Sequence, residues 1–213
     1  MAYFFPEGSS IQFTQTLAGA KTVTVASNAN PAVLTSVAHG YSTNDEVLFT
    51  SGWEDATDSV FKVTVLTADT FSLQGLDSSN TSFFPAGAGV GTTQKLSGWT
   101  SIPQVLTINT SGGDARFTNV SPLAKRNAIS IPTGFNATSI SMSLAHDATQ
   151  AAYITMLGIS RNLSKVAIKQ VISGGAVTYG YGYLSVAEAP QLNVNQVNTV
   201  TAAMTILGRS ISY

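Results

Sequence analysis

Few residues in this chain are equipped for chemistry. Its two histidines, His39 and His146, stand 107 positions apart. His146 beside Asp147 is an adjacency that would suit acid–base work, an imidazole to move a proton and a carboxylate to orient it. The alternative, and the commoner case, is an exposed histidine just ahead of a helix cap. His39 precedes Gly40 in a turn, where holding the backbone outweighs binding a metal. Glu54, Asp55 and Asp58 would attract a cation, yet they lack the spacing of an EF-hand loop, so a solvated acidic turn is the default. No G-x-x-x-x-G-K-[ST], H-E-x-x-H or G-x-S-x-G stretch occurs. The absence of cysteine excludes thiolate catalysis, disulfides and Cys-ligated zinc or iron–sulfur sites. Asn80, Asn109, Asn119, Asn136 and Asn162 each open an N-x-Ser/Thr triplet, which follows from composition alone. No catalytic, cofactor-binding or metal-binding residue is assigned; the expectation is a protein that is not an enzyme and uses no cofactor.

Composition points toward contact surfaces. The 213 residues carry 10 Lys+Arg and 11 Asp+Glu, a net charge of −1 and only 10% charged positions, so no basic excess announces nucleic-acid binding. Short neutral polar groups take their place: 51 Ser+Thr and 12 Asn. Such side chains lose little entropy on ordering and need no ion desolvation when buried. Two readings stay open, a surface built for extensive protein–protein contact or a soluble β protein with Thr-rich strands. No charged leader and no apolar run of about 20 residues is present, so neither a signal peptide nor a membrane anchor is expected.

Charge and turn residues divide the chain into three. Residues 1–27 are neutral and contain the β-branched run Lys21–Val25. Residues 28–94 hold seven acids against Lys62, net −6, and close in the Gly-rich loop 85–91. Residues 95–213 hold eight bases against three acids, net +5. An acidic module joined to a basic one suggests two folding units. The acidic module reads as strands at 32–37, 46–50, 60–66 and 70–74, a small barrel or sandwich that is marginal alone and leans on its neighbour.

In the large block, 138–144 alternates cleanly, with Thr138, Ile140, Met142 and Leu144 on one face and serines on the other. Asp147 and Gln150 resemble a capping box for a helix over 148–157 ended by Gly158. Strands follow at 166–172, 176–187 and 199–207, the first two linked by a turn at 173–175. Gly180 and Gly182 alternate with Tyr179, Tyr181 and Tyr183, giving one aromatic face and one bare face that permits close approach. Lys125-Arg126, the paired basic cluster between Pro122 and Pro132, is expected to contact a neighbouring subunit rather than DNA. The fold class is mainly β with one short helix.

This order of elements, with 1–27 as a detached first strand, resembles the tail tube proteins of long-tailed bacteriophages. The resemblance rests on the β-helix-β run 138–172, the hairpin around 173–175 and the final strand 199–207. It implies a tail-tube-like β-sandwich or rolled sheet, made of residues 1–27 and 95–213, with 28–94 inserted. The middle segment has its own likeness. Asn30-Pro31-Ala32-Val33-Leu34-Thr35, His39-Gly40-Tyr41, Asn44-Asp45-Glu46-Val47, Phe61-Lys62-Val63 and Phe71-Ser72-Leu73 resemble a small β module of phage tail and baseplate proteins. Asn44 stands where that module usually has Gly, and Asn tolerates the positive φ of such a turn.

The resemblance implies a structural virion subunit, made in the host cytoplasm and located in the tail. It would self-associate into stacked rings, usually hexameric in the resembled family. DNA would pass through the lumen without sequence-specific binding, and tape-measure, tail-terminator and tail-tip proteins would be partners. The alternative is a tail-tip or host-recognition protein using 28–94 as its binding module, which exposed aromatics around Trp53 would favour. A cell-wall hydrolase would need a carboxylate pair drawn from four Glu and seven Asp.

Overall fold

The computed structural model describes residues 7–124, 126–192 and 194–213. In chain order the strands are β1 (Ser10–Thr14), β2 (Thr16–Leu17), β3 (Lys21–Val23), β4 (Val25–Ala26), β5 (Val33–Thr35), β6 (Glu46–Ser51), β7 (Ser59–Val65), β8 (Thr70–Leu73) and β9 (Gly91–Ser97). Then come β10 (Thr100–Ser101), β11 (Val105–Ser111), β12 (Ala115–Val120), β13 (Ile129–Phe135) and β14 (Ser139–Ala145). Helix α1 (Ala151–Arg161) precedes β15 (Lys165–Val171), β16 (Val177–Val186), β17 (Thr199–Ile206) and β18 (Ile211–Ser212). The chain is mostly β-sheet with one short helix, as its sequence leads one to expect.

A large antiparallel sheet runs β10-β1-β15-β16-β17-β14-β11, with β18 also paired to β16. Alternation decides its two faces. Ile140, Met142 and Leu144 of β14 pair across to Met204, Ala202 and Val200 of β17, and all six are buried. This apolar face lies under α1, whose Ala152, Tyr153, Met156 and Ile159 complete the core. The glycines of β16 belong to the same face. A Cβ on Gly182 would lie 1.9 Å from the Thr205 carbonyl oxygen, and one on Gly180 would meet Ile206 Cδ1 at 3.0 Å. Only glycine lets β16 bend this close to β17.

The helix departs from its expected limits. Asp147 Oδ1 accepts from the Thr149 backbone N–H at 2.9 Å and from its hydroxyl at 2.7 Å. Its carboxylate is spent on a local turn, so the capping box does not form. Gln150 becomes the N-cap, with no side-chain capping bond. Gly158 does not end the helix, which continues to Arg161 and closes at Leu163, where φ is +49°.

The second sheet runs β2-β9-β6-β7-β8-β5-β4, with β3 also paired to β9. Because β3 and β4 are separated only by Thr24, pairing to β9 on one side and β5 on the other carries the hydrogen bonding full circle. The ring of strands encloses Leu34, Val47, Phe49, Trp53, Phe61, Val63, Phe71 and Leu73. Closure removes the free edges that a short open sheet would expose. The breaks expected at 27/28 and 94/95 do not coincide with a change of sheet. Of the first 27 residues β1 joins the large sheet while β2, β3 and β4 join the barrel, and β9 crosses the second break. The physical reason is closure: without β3, β4 and β9 the barrel would stay open.

Candidate functional site

Three surfaces stand out among the described residues once the cores are filled. The first is the other face of the large sheet. Register places Thr107, Asn109 and Ser111 of β11 opposite Ser143, Ser141 and Ser139 of β14. Those serines lie opposite Thr201, Ala203 and Thr205 of β17. Directly opposed residues share a face, so nine short side chains form one plate. None of the three strands contains an acid or a base. The outward threonines and β11 residues are exposed and the serines half-buried, with neither α1 nor the barrel covering them.

The second surface is the junction of the two sheets, on the same face but toward β15 and β16. Tyr179 and Tyr181 pack with Ala167 against Leu48, Val60 and Leu96 of the barrel. Polar groups ring this contact. Glu46 Oε1 accepts from the Tyr179 hydroxyl and lies 2.7 Å from Lys169 Nζ. Lys169 also sits 5.4 Å from the Trp99 ring centroid, and Lys165 reaches Asp58 at 3.8 Å. Burial raises the Tyr179 phenol, and the bond it donates to Glu46, with that residue's charge, raises it further. Tyr213 accepts from the Lys62 N–H at 3.0 Å and donates to the Gln74 carbonyl at 2.8 Å. Burial pushes its phenol up to about 12. The opposite charges of the acidic and basic segments thus meet within one chain.

The third surface is the β12–β13 ribbon, a two-stranded sheet paired to no other strand among the described residues. All residues of both strands are exposed except half-buried Gly134. Thr118 and Val120 lie opposite Ile131 and Ile129, giving one β-branched face with no charge on it. Phe117 and Phe135 are 60% and 75% exposed. Sequence reading passes over this ribbon because periodicity marks a strand by its buried face, and here no face is buried.

The residues singled out for chemistry are held by structural roles and lie apart. His39 is buried; its Nδ1 accepts from the Tyr41 N–H at 3.0 Å, its Nε2 lies 3.1 Å from the Thr67 carbonyl, and its ring meets Tyr41 and Phe71. Asn44 takes φ +73° in the same turn region. His146 packs edge-on to Tyr153 at 5.3 Å, while Asp147 is turned to Thr149, whose bonds hold its carboxyl below the usual value. Of the acidic trio, Asp58 faces Lys165, and among the described residues no group of three or more His, Cys, Asp or Glu is placed to hold a metal. Trp53 is fully buried, donating from Nε1 to the Pro85 carbonyl at 2.8 Å and packing edge-on to Phe84, so it offers no exposed platform. Arg126 is exposed near the ribbon; Lys125 lies outside the described residues.

Residues 51–213 match the model of a family described as Phage tail tube protein, TTP. The match begins at the end of β6 in the barrel and runs through the ribbon, the helix and every later strand. No curated protein matches the chain.

Proposed function

The chain belongs to the phage tail tube protein family, and on that premise we propose that its copies close into rings, six to a ring, that stack into a tube conducting DNA. The family supports a structural role in the virion tail. The observation that carries the finer reading is the uncharged plate of β11, β14 and β17. A wall along which a polyanion must slide should not hold it, and each phosphate neutralised by Lys or Arg adds salt-sensitive affinity. An apolar wall would be poorly wetted, whereas serine and threonine hydroxyls hydrogen-bond water. The plate meets both conditions, and we assign it to the lumen.

The barrel docks through Tyr179 and Tyr181 on the same face of the sheet, beside the plate toward β15 and β16, so on this reading it stands at the margin of the lumen wall. Tape-measure, terminator and tip proteins are the further partners of such a tube.

Electron microscopy of the purified chain, together with light scattering, should show hollow rings and tubes. Tubes should not retain short duplex DNA at low salt, while Ser141→Lys tubes should, with binding that falls as salt rises. A chain that stays monomeric over a wide concentration range overturns the tube. Tubes whose DNA retention is indifferent to Ser141→Lys overturn the lumen assignment.

A further inference from the structure

The large sheet is almost without charge, and its exceptions sit together. Among the described residues its eight strands hold two charged side chains, Lys165 and Lys169, both on β15. Register puts them on the face of the serine–threonine plate. Lys165 lies opposite Tyr183, Tyr183 opposite Thr205, Thr205 opposite Ser139 and Ser139 opposite Ser111, one row across β15, β16, β17, β14 and β11. Lys169 lies opposite Tyr179 in the same alternation. Two strand spacings separate Lys165 from Thr205, about 10 Å, which is about one Debye length at 0.1 M salt. An unpaired ammonium there would be felt at the edge of the plate.

Neither ammonium is unpaired. Lys169 Nζ lies 2.7 Å from Glu46 Oε1, and Lys165 Nζ lies 3.8 Å from Asp58 Oδ2. Both acids belong to the barrel, Glu46 opening β6 and Asp58 standing just before β7. Stability alone does not call for this arrangement. The apolar contact of Tyr179, Tyr181 and Ala167 with Leu48, Val60 and Leu96 already docks the barrel, and an ion pair withdrawn from water rarely adds more than a well-packed apolar pair would. Charge pairs do fix orientation, but on this face a free lysine would also be a phosphate site. The barrel's own Lys95 meets Asp45 at 2.8 Å, and Lys62, opposite Glu46, lies 5.0 Å over the Tyr213 ring.

We propose that the barrel is the electrostatic mask of the DNA path: Glu46 and Asp58 cancel Lys169 and Lys165, so that the sheet face beside the plate presents no free base to passing DNA. This rests on the lumen reading of the plate and gives the acidic segment a task within it. A copy with its barrel undocked would expose both lysines, and a ring of such copies would hold the DNA.

Glu46→Gln and Asp58→Asn remove the two negative charges and little else. Glutamine keeps an oxygen for the Tyr179 hydroxyl, and asparagine suits the φ of +52° at position 58. Tubes of the unaltered chain, of this double variant, and of the double variant carrying Lys165→Gln and Lys169→Gln are sedimented with a short fluorescent DNA duplex. The double variant should retain at least about tenfold more duplex at low salt, with a log–log salt slope steeper by about 0.9 per lysine engaged. The retained duplex should resist nuclease, and the added glutamines should abolish retention. No gain in retention overturns the proposal. So does retention that survives loss of both lysines, or retained duplex that nuclease digests like free DNA. If the double variant does not assemble, Asp58→Asn alone frees Lys165 and is read in the same way, with Lys165→Gln as its reversal. Failure of the readings beneath it shows separately: no tubes from the unaltered chain removes the tube, and Ser141→Lys tubes without retention remove the lumen assignment.

Discussion

The barrel and the large sheet solve the problem of strand edges in opposite ways. The barrel consumes its own: β3, β4 and β9 close the circle, and the large aromatics Trp53, Phe49, Phe61 and Phe71 point inward. The large sheet leaves β11 unpaired on one side, keeps a polar face uncovered and carries a naked ribbon. A closed unit has little left to offer a partner beyond its outer surface. An open one has edges, a plate and an arm that are complete only in company. Assembly should therefore reside in the large sheet, and damage to each unit should have different consequences.

The largest effect should come from Gly182→Val. Its Cβ would collide with a backbone oxygen that has nowhere to go, so β16 and β17 must separate; we expect a loss above about 4 kcal/mol, at the extreme of single substitutions. Gly180→Val meets the ends of Ile206 and Ile168 side chains, which can shift, and should cost about 1–3 kcal/mol. Urea unfolding separates the two. Equal, small losses would show that the close approach is unimportant.

Trp53→Ala should come next, at about 3–5 kcal/mol, the usual range for emptying an aromatic core site. The comparison makes the location of the damage the informative part. Hydrogen exchange should accelerate in β6, β7 and β8 while β14 and β17 stay protected. Equal acceleration in both sheets would mean that the tyrosine junction fuses them into one cooperative unit.

Much of this architecture is legible in residue order, and the gaps have physical causes. The serine–apolar alternation of β14 names both faces of its strand, and the Tyr-Gly alternation of β16 does the same. What covers each face is not local information: the tyrosines meet Leu48 and Val60, more than a hundred positions away. Asp147 and Gln150 spell a capping box, but the same carboxylate can serve Thr149, and a single sequence does not rank the two bonds. Strand β9 begins in glycine and is largely polar, with only Thr93 and Leu96 buried, so its sequence shows no apolar face and its place between β2, β3 and β6 appears only in the pairing. The neutral plate was foreshadowed by the wealth of Ser and Thr, while its continuity across β11, β14 and β17 appears only once register is known.

A smaller and reversible effect should appear at alkaline pH. Tyr213 titrates near 12 in the folded chain and near 10 when unfolded; Tyr179 and Tyr181 are also raised. Folding favours the protonated phenols, so the stability they lend is complete below about pH 10 and is lost as pH rises through about 12. Phenolate absorbance should lag behind that of free tyrosine, and the barrel should undock as it appears. Tyr213→Phe removes that ionisation and should move the undocking to higher pH. Undocking at neutral pH in 1 M salt would instead show that Lys169–Glu46 and Lys165–Asp58, not the buried phenols, hold the junction.

The smallest effect concerns the end of α1, and it acts on one unit alone. The Leu163 N–H donates to the Ser160 carbonyl and the Ser164 N–H to the Ile159 carbonyl, both at 3.2 Å. With Asn162 as the C-cap, these are the two bonds of a Schellman motif, whose left-handed position is usually glycine. Leucine occupies it here at φ +49°, a conformation that costs an L-residue about 1–2 kcal/mol. Nothing repays that cost through packing, since the side chain is 74% exposed. Leu163→Gly relieves the strain and gives back part of the gain through the greater freedom of an unfolded glycine, about 0.5–1 kcal/mol. The net should be a stabilisation of roughly 0.5–1 kcal/mol, read as slower exchange of the Ser160–Ser164 amides. Because α1 packs only on the large sheet's core, the barrel amides should be unmoved. A destabilised helix end would mean that Leu163 makes a contact the monomer lacks, and would place the α1 terminus among the surfaces that neighbouring copies cover.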